Sequence, residues 1–202
     1  MINTYKYNLD KTIKKKYLRL GFGTFQIGGK TLLGRQITNN GLQKISDSYD
    51  SIHNAIKLGI NFFDTSDIYG NGKSEKILGK LLKQYNTNSI VICTKYGNRN
   101  IKDKLIFDHS ISYTNLCVKR SQKNLKTKCL DIFLLHSPPE GTILDNKYKK
   151  NILSLKKNHD IKSFGISCRD ISSAKKFIRK YDFIDYIEII YNIIDRRIEH
   201  SF

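Results

Sequence analysis

Apolar and polar positions along the chain switch between two periods. Short apolar runs at Leu18 to Phe25, Asn61 to Phe63, Ser89 to Cys93, Asp131 to Leu135, Ile161 to Ile166 and Tyr186 to Tyr191 read as buried strands. Between them the spacing becomes helical. Asp47 to Leu58 has apolar positions at Tyr49, Ile52, Ala55 and Ile56, a cap at Ser46 or Asp47, and Gly59 just past its end. Ser74 to Gln84 repeats the arrangement, with Ser74 as cap and Ile77, Leu78, Leu81 and Leu82 on one face. Helices over Ser112 to Lys126, Asn146 to Asn158 and Asp170 to Lys180 follow. Strand and helix alternate from Leu18 onward, which predicts parallel βα units joined by right-handed crossovers. Six strands are predicted, and the tail after Asn192, polar with Arg196, Arg197 and Glu199, predicts no seventh or eighth. Ahead of them, the alternation of Tyr5, Tyr7 and Leu9 and a polar turn predict a short hairpin, assigned to residues 1–17.

Four of the apolar runs end by handing over polar residues. Asn61 to Phe63 stops at Asp64, with Tyr69 and Gly70 further on; Ser89 to Cys93 runs into Thr94 and Lys95; Asp131 to Leu135 into His136; Ile161 to Ile166 into Ser167. A parallel sheet places the carboxyl ends of its strands on one face, so Asp64, Tyr69, Lys95 and His136 can meet although they are distant in sequence. Each residue alone has a structural reading. Asp64 could cap a turn, Tyr69 pack on a rim, Lys95 be a solvated charge, His136 a satisfied strand-end histidine and Ser167 a helix cap. Four strand ends with the same pattern point to chemistry instead. Pro138 and Pro139 stiffen the loop that presents His136.

The segments FDTSDIYGNGKSE, ICTKYG, LDIFLLHSPP and LGFGTFQIGG resemble the aldo-keto reductases, NADP(H)-dependent carbonyl reductases built on a (β/α)8 TIM barrel. The resemblance runs from about Tyr17 to the end of the chain, in the family's order. It implies an α/β fold of the (β/α)8 type, with about six βα units present and residues 18–202 forming an incomplete barrel. It implies a catalytic tetrad of Asp64, Tyr69, Lys95 and His136, and cofactor contacts from Gly23, Thr24, Asp64, Ser167, Cys168 and Glu188. Two positions depart from the family pattern, which commonly has Ser-Asn after the fifth strand and Gln in the sixth. Here Ser167, Cys168 and Glu188 stand there; an ionised Glu only accepts and a thiol donates weakly, so anchoring of the nicotinamide carboxamide is altered. The family's cofactor-phosphate contacts, after strands seven and eight, would be missing.

In the activity so implied, the cofactor brings hydride to the carbonyl carbon and the side chains bring a proton to its oxygen. Tyr69 would be the acid and Lys95 the cation that lowers its pKa. Asp64 would hold Lys95, and His136 would donate to the carbonyl oxygen and orient it. The partner expected is a small aldehyde, ketone or sugar carbonyl. Two alternatives belong to other classes: a catalytically silent relative serving as a regulatory or binding subunit, as the potassium-channel beta subunits do, or an inactive truncated product. The altered carboxamide contacts and the short chain favour the silent relative, and the intact tetrad favours the enzyme.

Composition narrows the remaining classes. The chain has 202 residues, enough for one domain with a real core. Lys and Arg number 36 against 18 Asp and Glu, a net charge of +18. The lysines are spread over the helices without a basic arm interleaved with aromatics, so nucleic acid is not an expected partner. Mean hydropathy is -0.45 and no apolar run reaches membrane length, so no membrane is expected and a cytoplasmic location is the default. Cys93, Cys117, Cys129 and Cys168 show no CxxC pairing, and no metal is implied. GGKT at Gly28 to Thr31 mimics a phosphate loop, but Gly23 and Gly29 enclose five residues where the Walker pattern needs four. Open barrel edges allow self-association.

Overall fold

The apolar runs pair as a parallel sheet whose inner and outer faces are set by the two-residue period of a strand. The computed structural model describes residues 6–8, 16–18, 20–33, 36–39, 44–85, 87–102 and 104–201. Strand β1 (Lys6–Asn8) pairs antiparallel with β2 (Lys16–Leu18), and the turn expected between them lies outside the described residues. Next come β3 (Phe22–Gly23), β4 (Thr31–Leu33), β5 (Gln36–Asn39), α1 (Ile45–Lys57), β6 (Phe62–Asp64), α2 (Lys73–Leu82) and β7 (Val91–Tyr96). They are followed by β8 (Asn98–Ile101), β9 (Lys104–Phe107), α3 (Ile111–Leu125), β10 (Leu130–His136), α4 (Asn146–Lys157), β11 (Ile161–Cys168), α5 (Ile171–Lys180) and β12 (Tyr186–Ile189).

Strands β3, β6, β7, β10, β11 and β12 form one six-stranded parallel sheet in chain order, with β3 and β12 at its edges. Its two faces are packed differently. Val91, Cys93, Ile132 and Leu134 cluster with Phe62 and Tyr186, while Phe63, Tyr96, Phe133, Leu135, Phe164 and Ile166 join the helices in the larger core. The smaller cluster takes one parity of each strand, and continuing that parity reaches Asp64, Lys95, His136 and Glu188. Gly165 is required between them: a Cβ there would lie 2.3 Å from Tyr186 O and 2.6 Å from Leu134 Cδ2.

The helices form where an apolar stripe meets the sheet. Helix α1 buries Ile52 and Ala55, α2 buries Ile77, Leu78, Leu81 and Leu82, and α5 buries Ala174 and Phe177. Each fully buried Leu, Ile or Phe contributes about 1.5–3 kcal/mol. Ser110, Asp145 and Asp170 cap α3, α4 and α5 by accepting the backbone N–H of Tyr113, Tyr148 and Ser173. Among the described residues no helix is long and apolar enough to cross a membrane.

Besides the cap of α1, where Ser46 and Asp47 lie inside the first turn and Lys44 at the cap position makes no side-chain bond, three local expectations differ from the structure. Ser74 is not the cap of α2, which follows the left-handed Gly72; its hydroxyl instead donates within the sheet top, 2.8 Å from Thr24 Oγ1. The first apolar run, read as one strand over Leu18 to Phe25, is divided, with Leu18 in β2 and only Phe22 and Gly23 paired to β6. The third difference is two antiparallel hairpins, β4–β5 and β8–β9, that lie outside the parallel sheet.

Candidate active site

The register of the sheet fixes which side chains can meet. Gly23 pairs with Asp64 and Asp64 with Cys93, whereas His136 pairs with Ser167 and Ser167 with Glu188. Lys95 lies opposite Leu134, between those two rows. The strand ends thus step along the sheet, and Lys95 has the reach to join its two sides.

It does so almost wholly out of water. Lys95 is 1% exposed, and its Nζ donates to Asp64 Oδ1 at 2.6 Å, Asp64 Oδ2 at 2.5 Å and the Thr65 carbonyl at 3.2 Å. Glu188 Oε2 lies 3.4 Å from the same nitrogen, and the other oxygen, Oε1, accepts 2.7 Å from Ser167 Oγ. Burial opposes the Lys95 charge, but Asp64, Cys93, Glu188 and Tyr69 together outweigh it and hold the ammonium protonated well above the usual lysine range. Asp64 is pushed up to about 6 by burial, against the pull of Lys95 and with help from Glu188. Asp64, Cys93 and Glu188 each bring a ligand atom within 4.8 Å of the others. The Lys95 ammonium supplies one positive charge to these two carboxylates.

Tyr69 opens a short 3-10 turn, Tyr69–Gly72, and its ring lies over this pair, with Lys95 Nζ 5.4 Å from the ring centroid. The ring makes edge contacts with Phe25 at 5.0 Å and His136 at 5.9 Å between centroids, and these hold it from two sides. Gly70 makes the turn possible: its φ is +54°, and a Cβ would lie 2.7 Å from Gly28 O. Burial pushes the Tyr69 hydroxyl up to about 12, and Lys95 only partly offsets it. The expectation that Lys95 lowers this pKa holds for its own contribution and not for the sum. Tyr69 is a protonated acid throughout the neutral range.

His136 ends β10, and its Nδ1 lies 3.0 Å from Ser66 Oγ. Burial, Lys95 and Arg169 push its pKa down to about 3, so the ring is neutral. The four residues read from strand ends are therefore brought together, with Ser167 and Glu188 beside them.

The other cofactor candidates are placed differently. Gly23 is exposed, with open space where a Cβ would be. Thr24 is fully buried; its hydroxyl and its N–H both donate to the Asp64 carbonyl, at 2.9 and 2.8 Å, and its side chain is not presented to a ligand. Cys168 has the opposite parity to Ser167 and lines a cavity of about 700 Å3 with Asn98, Phe107, Ser137, Pro138 and Arg169. Burial, with Asp170 and Glu188 nearby, pushes its thiol up to about 12.

Sequence reasoning missed several supporting residues. Buried Asp67 accepts from Arg120 at 2.6 Å, while its N–H donates to the Lys95 carbonyl at 3.0 Å. Buried Glu75 accepts from Thr94 Oγ1 at 2.7 Å and Asn124 at 2.9 Å. Ser66, Asp67 and Glu75 all lie in or next to the segment that carries Asp64 and Tyr69. The signal available was a run of polar residues too dense for a solvated turn.

A parallel sheet of βα units thus gathers a Lys–Asp pair, a tyrosine and a neutral histidine at the carboxyl ends of its strands. The chain belongs to the aldo/keto reductase family, whose model matches residues 19–202. An uncharacterized oxidoreductase of Bacillus subtilis, YqkF, is 34% identical over 149 residues, 72% of this chain and 47% of the relative. The holo form of an aldo-keto reductase from Bacillus halodurans, AKR11C1, superposes with a TM-score of 0.78 at 29% identity, covering 96% of this chain and 60% of that one. An aldo-keto reductase from Klebsiella pneumoniae in complex with NADPH shares the fold, with a TM-score of 0.73 at 18% identity, covering 97% of this chain and 62% of that one. The six parallel strands match part of the family's (β/α)8 barrel, and the chain spans about half the length of the curated relatives it matches.

Proposed function

We propose that these residues form the acid–base centre of an NADP(H)-dependent reductase acting on a small aldehyde, ketone or sugar carbonyl. The observation that carries the reading is the convergence of Tyr69 and His136 on a buried Lys95–Asp64 pair. Tyr69 Oη gives its proton to the carbonyl oxygen as hydride reaches the carbon, and the Lys95 ammonium stabilises the phenolate left behind. Asp64 keeps the ammonium in place. Neutral His136 donates a hydrogen bond that orients the carbonyl. In oxidation the same groups act in reverse, with the Tyr69 phenolate taking the alcohol proton.

The ring end of a nicotinamide dinucleotide fits the residues beside this centre. Glu188 is 38% exposed at its side chain and accepts N–H donors, as a carboxamide provides. Ser167 offers a hydroxyl, Gly23 leaves open space, and the cavity beside Cys168 carries Arg169 as a cation for an anionic ligand. Bound there, the cofactor supplies the hydride. The test is consumption of NADPH with a panel of generic aldehydes and sugars, lost when Tyr69 or Lys95 is replaced.

Glu188 adds a charge that biases this site. With Asp64 and Glu188 ionised and Lys95 protonated, the cluster carries a net negative charge, which favours the cationic oxidised ring over the neutral reduced one. Glu188→Gln is expected to shift relative affinity toward NADPH and to lower the Asp64 pKa from about 6, because Glu188 contributes to raising it. Paired titrations with NADP+ and NADPH measure the first. An unchanged affinity ratio would remove Glu188 from the ring site.

The edges of the sheet bear on affinity and association. Beyond β12, Ile193 and Ile194 are 91% and 93% exposed, and no seventh or eighth parallel strand lies among the described residues. Barrels of this kind frequently build their phosphate site from the loops after those strands. A polypeptide of these 202 residues is therefore expected to bind NADPH more weakly than micromolar and to self-associate through β3 and β12. Micromolar or tighter binding by a species that light scattering shows to be monomeric would contradict this.

A further inference from the structure

We infer that Ser66 is a positioning residue that sets the tautomer of His136: its hydroxyl donates to Nδ1 and leaves the ring proton on Nε2. Ser66 is fully buried, and its Oγ has three neighbours: His136 Nδ1 at 3.0 Å, the Lys95 carbonyl at 3.4 Å and the Ile68 N–H at 3.4 Å. The Ile68 N–H can only donate to it. The single hydroxyl proton therefore goes either to Nδ1 or to the Lys95 carbonyl. That carbonyl already accepts the Asp67 N–H at 3.0 Å, whereas for Nδ1 the hydroxyl is the one partner found among the described residues. The shorter separation and the donor that the carbonyl already has both send the proton to Nδ1.

A neutral imidazole carries one proton, so a Nδ1 that accepts requires Nε2–H. The ring is neutral here because burial and the nearby cations Lys95 and Arg169 disfavour its charge. Ser66 thereby converts His136 from a ring of undefined polarity into a fixed donor. Its backbone also helps place the acid, since the Ser66 carbonyl accepts the Tyr69 N–H at 3.2 Å. The functional meaning of this donor rests on the reductase reading above, whereas the tautomer itself does not.

The experiment is 15N NMR of the full chain with 15N-labelled histidine near pH 7, with His136 assigned by the signal lost in His136→Gln. The expected spectrum has Nδ1 of His136 in the unprotonated range and Nε2 in the protonated range. In Ser66→Ala the two tautomers should mix, and Ser66→Thr, which keeps the hydroxyl, should restore the single form. Nδ1 protonated in the unaltered chain, or an unchanged tautomer in Ser66→Ala, would overturn the assignment. The wild-type spectrum alone decides the point if Ser66→Ala does not fold. In turnover assays at saturating NADPH, Ser66→Ala is expected to lower kcat about tenfold with little change in cofactor affinity, the loss of one oriented hydrogen bond. The assigned tautomer together with full activity in His136→Gln would defeat the reductase role of His136 and leave the tautomer standing.

Discussion

Replacing Tyr69 by Phe is expected to lower kcat by about 10²–10⁴-fold, the usual contribution of a general acid, while leaving NADPH affinity nearly unchanged. The ring of Tyr69 is held by edge contacts to Phe25 and His136 that a Phe ring would keep, so the change removes one hydroxyl and little packing. Because burial holds this hydroxyl near 12, the proton is present at every pH used for reduction, and the loss should be uniform across the neutral range. Single-turnover rates for both forms at saturating NADPH provide the measurement. Retention of most of the rate by the Phe variant would place the acid elsewhere.

Lys95→Met is expected to cost both activity and stability. Lys95 is 1% exposed and is the cation that Asp64 and Glu188 share, at 2.5 and 3.4 Å. Methionine fills a similar volume but leaves two carboxylates facing each other without a counter-ion. Removing one partner of a buried pair typically destabilises by about 3–5 kcal/mol. Part of this should be relieved because Asp64, already raised to about 6, can take up a proton. Without Lys95 the Asp64 pKa rises further, so folded Lys95→Met protein is favoured below the ordinary carboxylate pKa and loses stability as pH rises through the raised value. Thermal unfolding of both forms between pH 4 and 8 tests this. A Lys95→Met protein whose stability deficit does not grow with pH would show that the carboxylates are not facing an emptied charge site.

How much of this was legible in the sequence depends on the range of the interaction that fixes each part. The strands from Phe62 to Ile189 and all five helices follow from period-two and helical apolar spacing, because burial against a sheet is written locally. The hairpins β4–β5 and β8–β9 were missed because they stand outside the parallel sheet. Strand β8 is mostly polar, and in β9 the run Leu105, Ile106 and Phe107 has no alternation and is largely exposed, so neither carries the pattern of a half-buried strand. The meeting of Asp64, Tyr69, Lys95 and His136 could be anticipated from one rule, that parallel strands end on one face. The net direction of the Tyr69 pKa could not, since it depends on how deeply the phenol is buried relative to its distance from Lys95. Ser66 was invisible for a similar reason: its contact with His136 spans seventy residues and is set by how the segment between Asp64 and Tyr69 folds back. Thr24 shows the opposite failure, a residue expected to face the cofactor whose hydroxyl is consumed in holding β3 to β6.

The most direct measurement of the central claim is transfer of label from the cofactor to the substrate carbonyl. Incubation of the chain with aldehydes and NADPH carrying deuterium at both C4 positions of the nicotinamide, at concentrations well above its dissociation constant, should yield an alcohol with one deuterium on the former carbonyl carbon. The Tyr69→Phe protein should transfer it at least a hundredfold more slowly. Absence of label from every alcohol product, or equal transfer by the Phe variant, would contradict the assignment of these residues to carbonyl reduction.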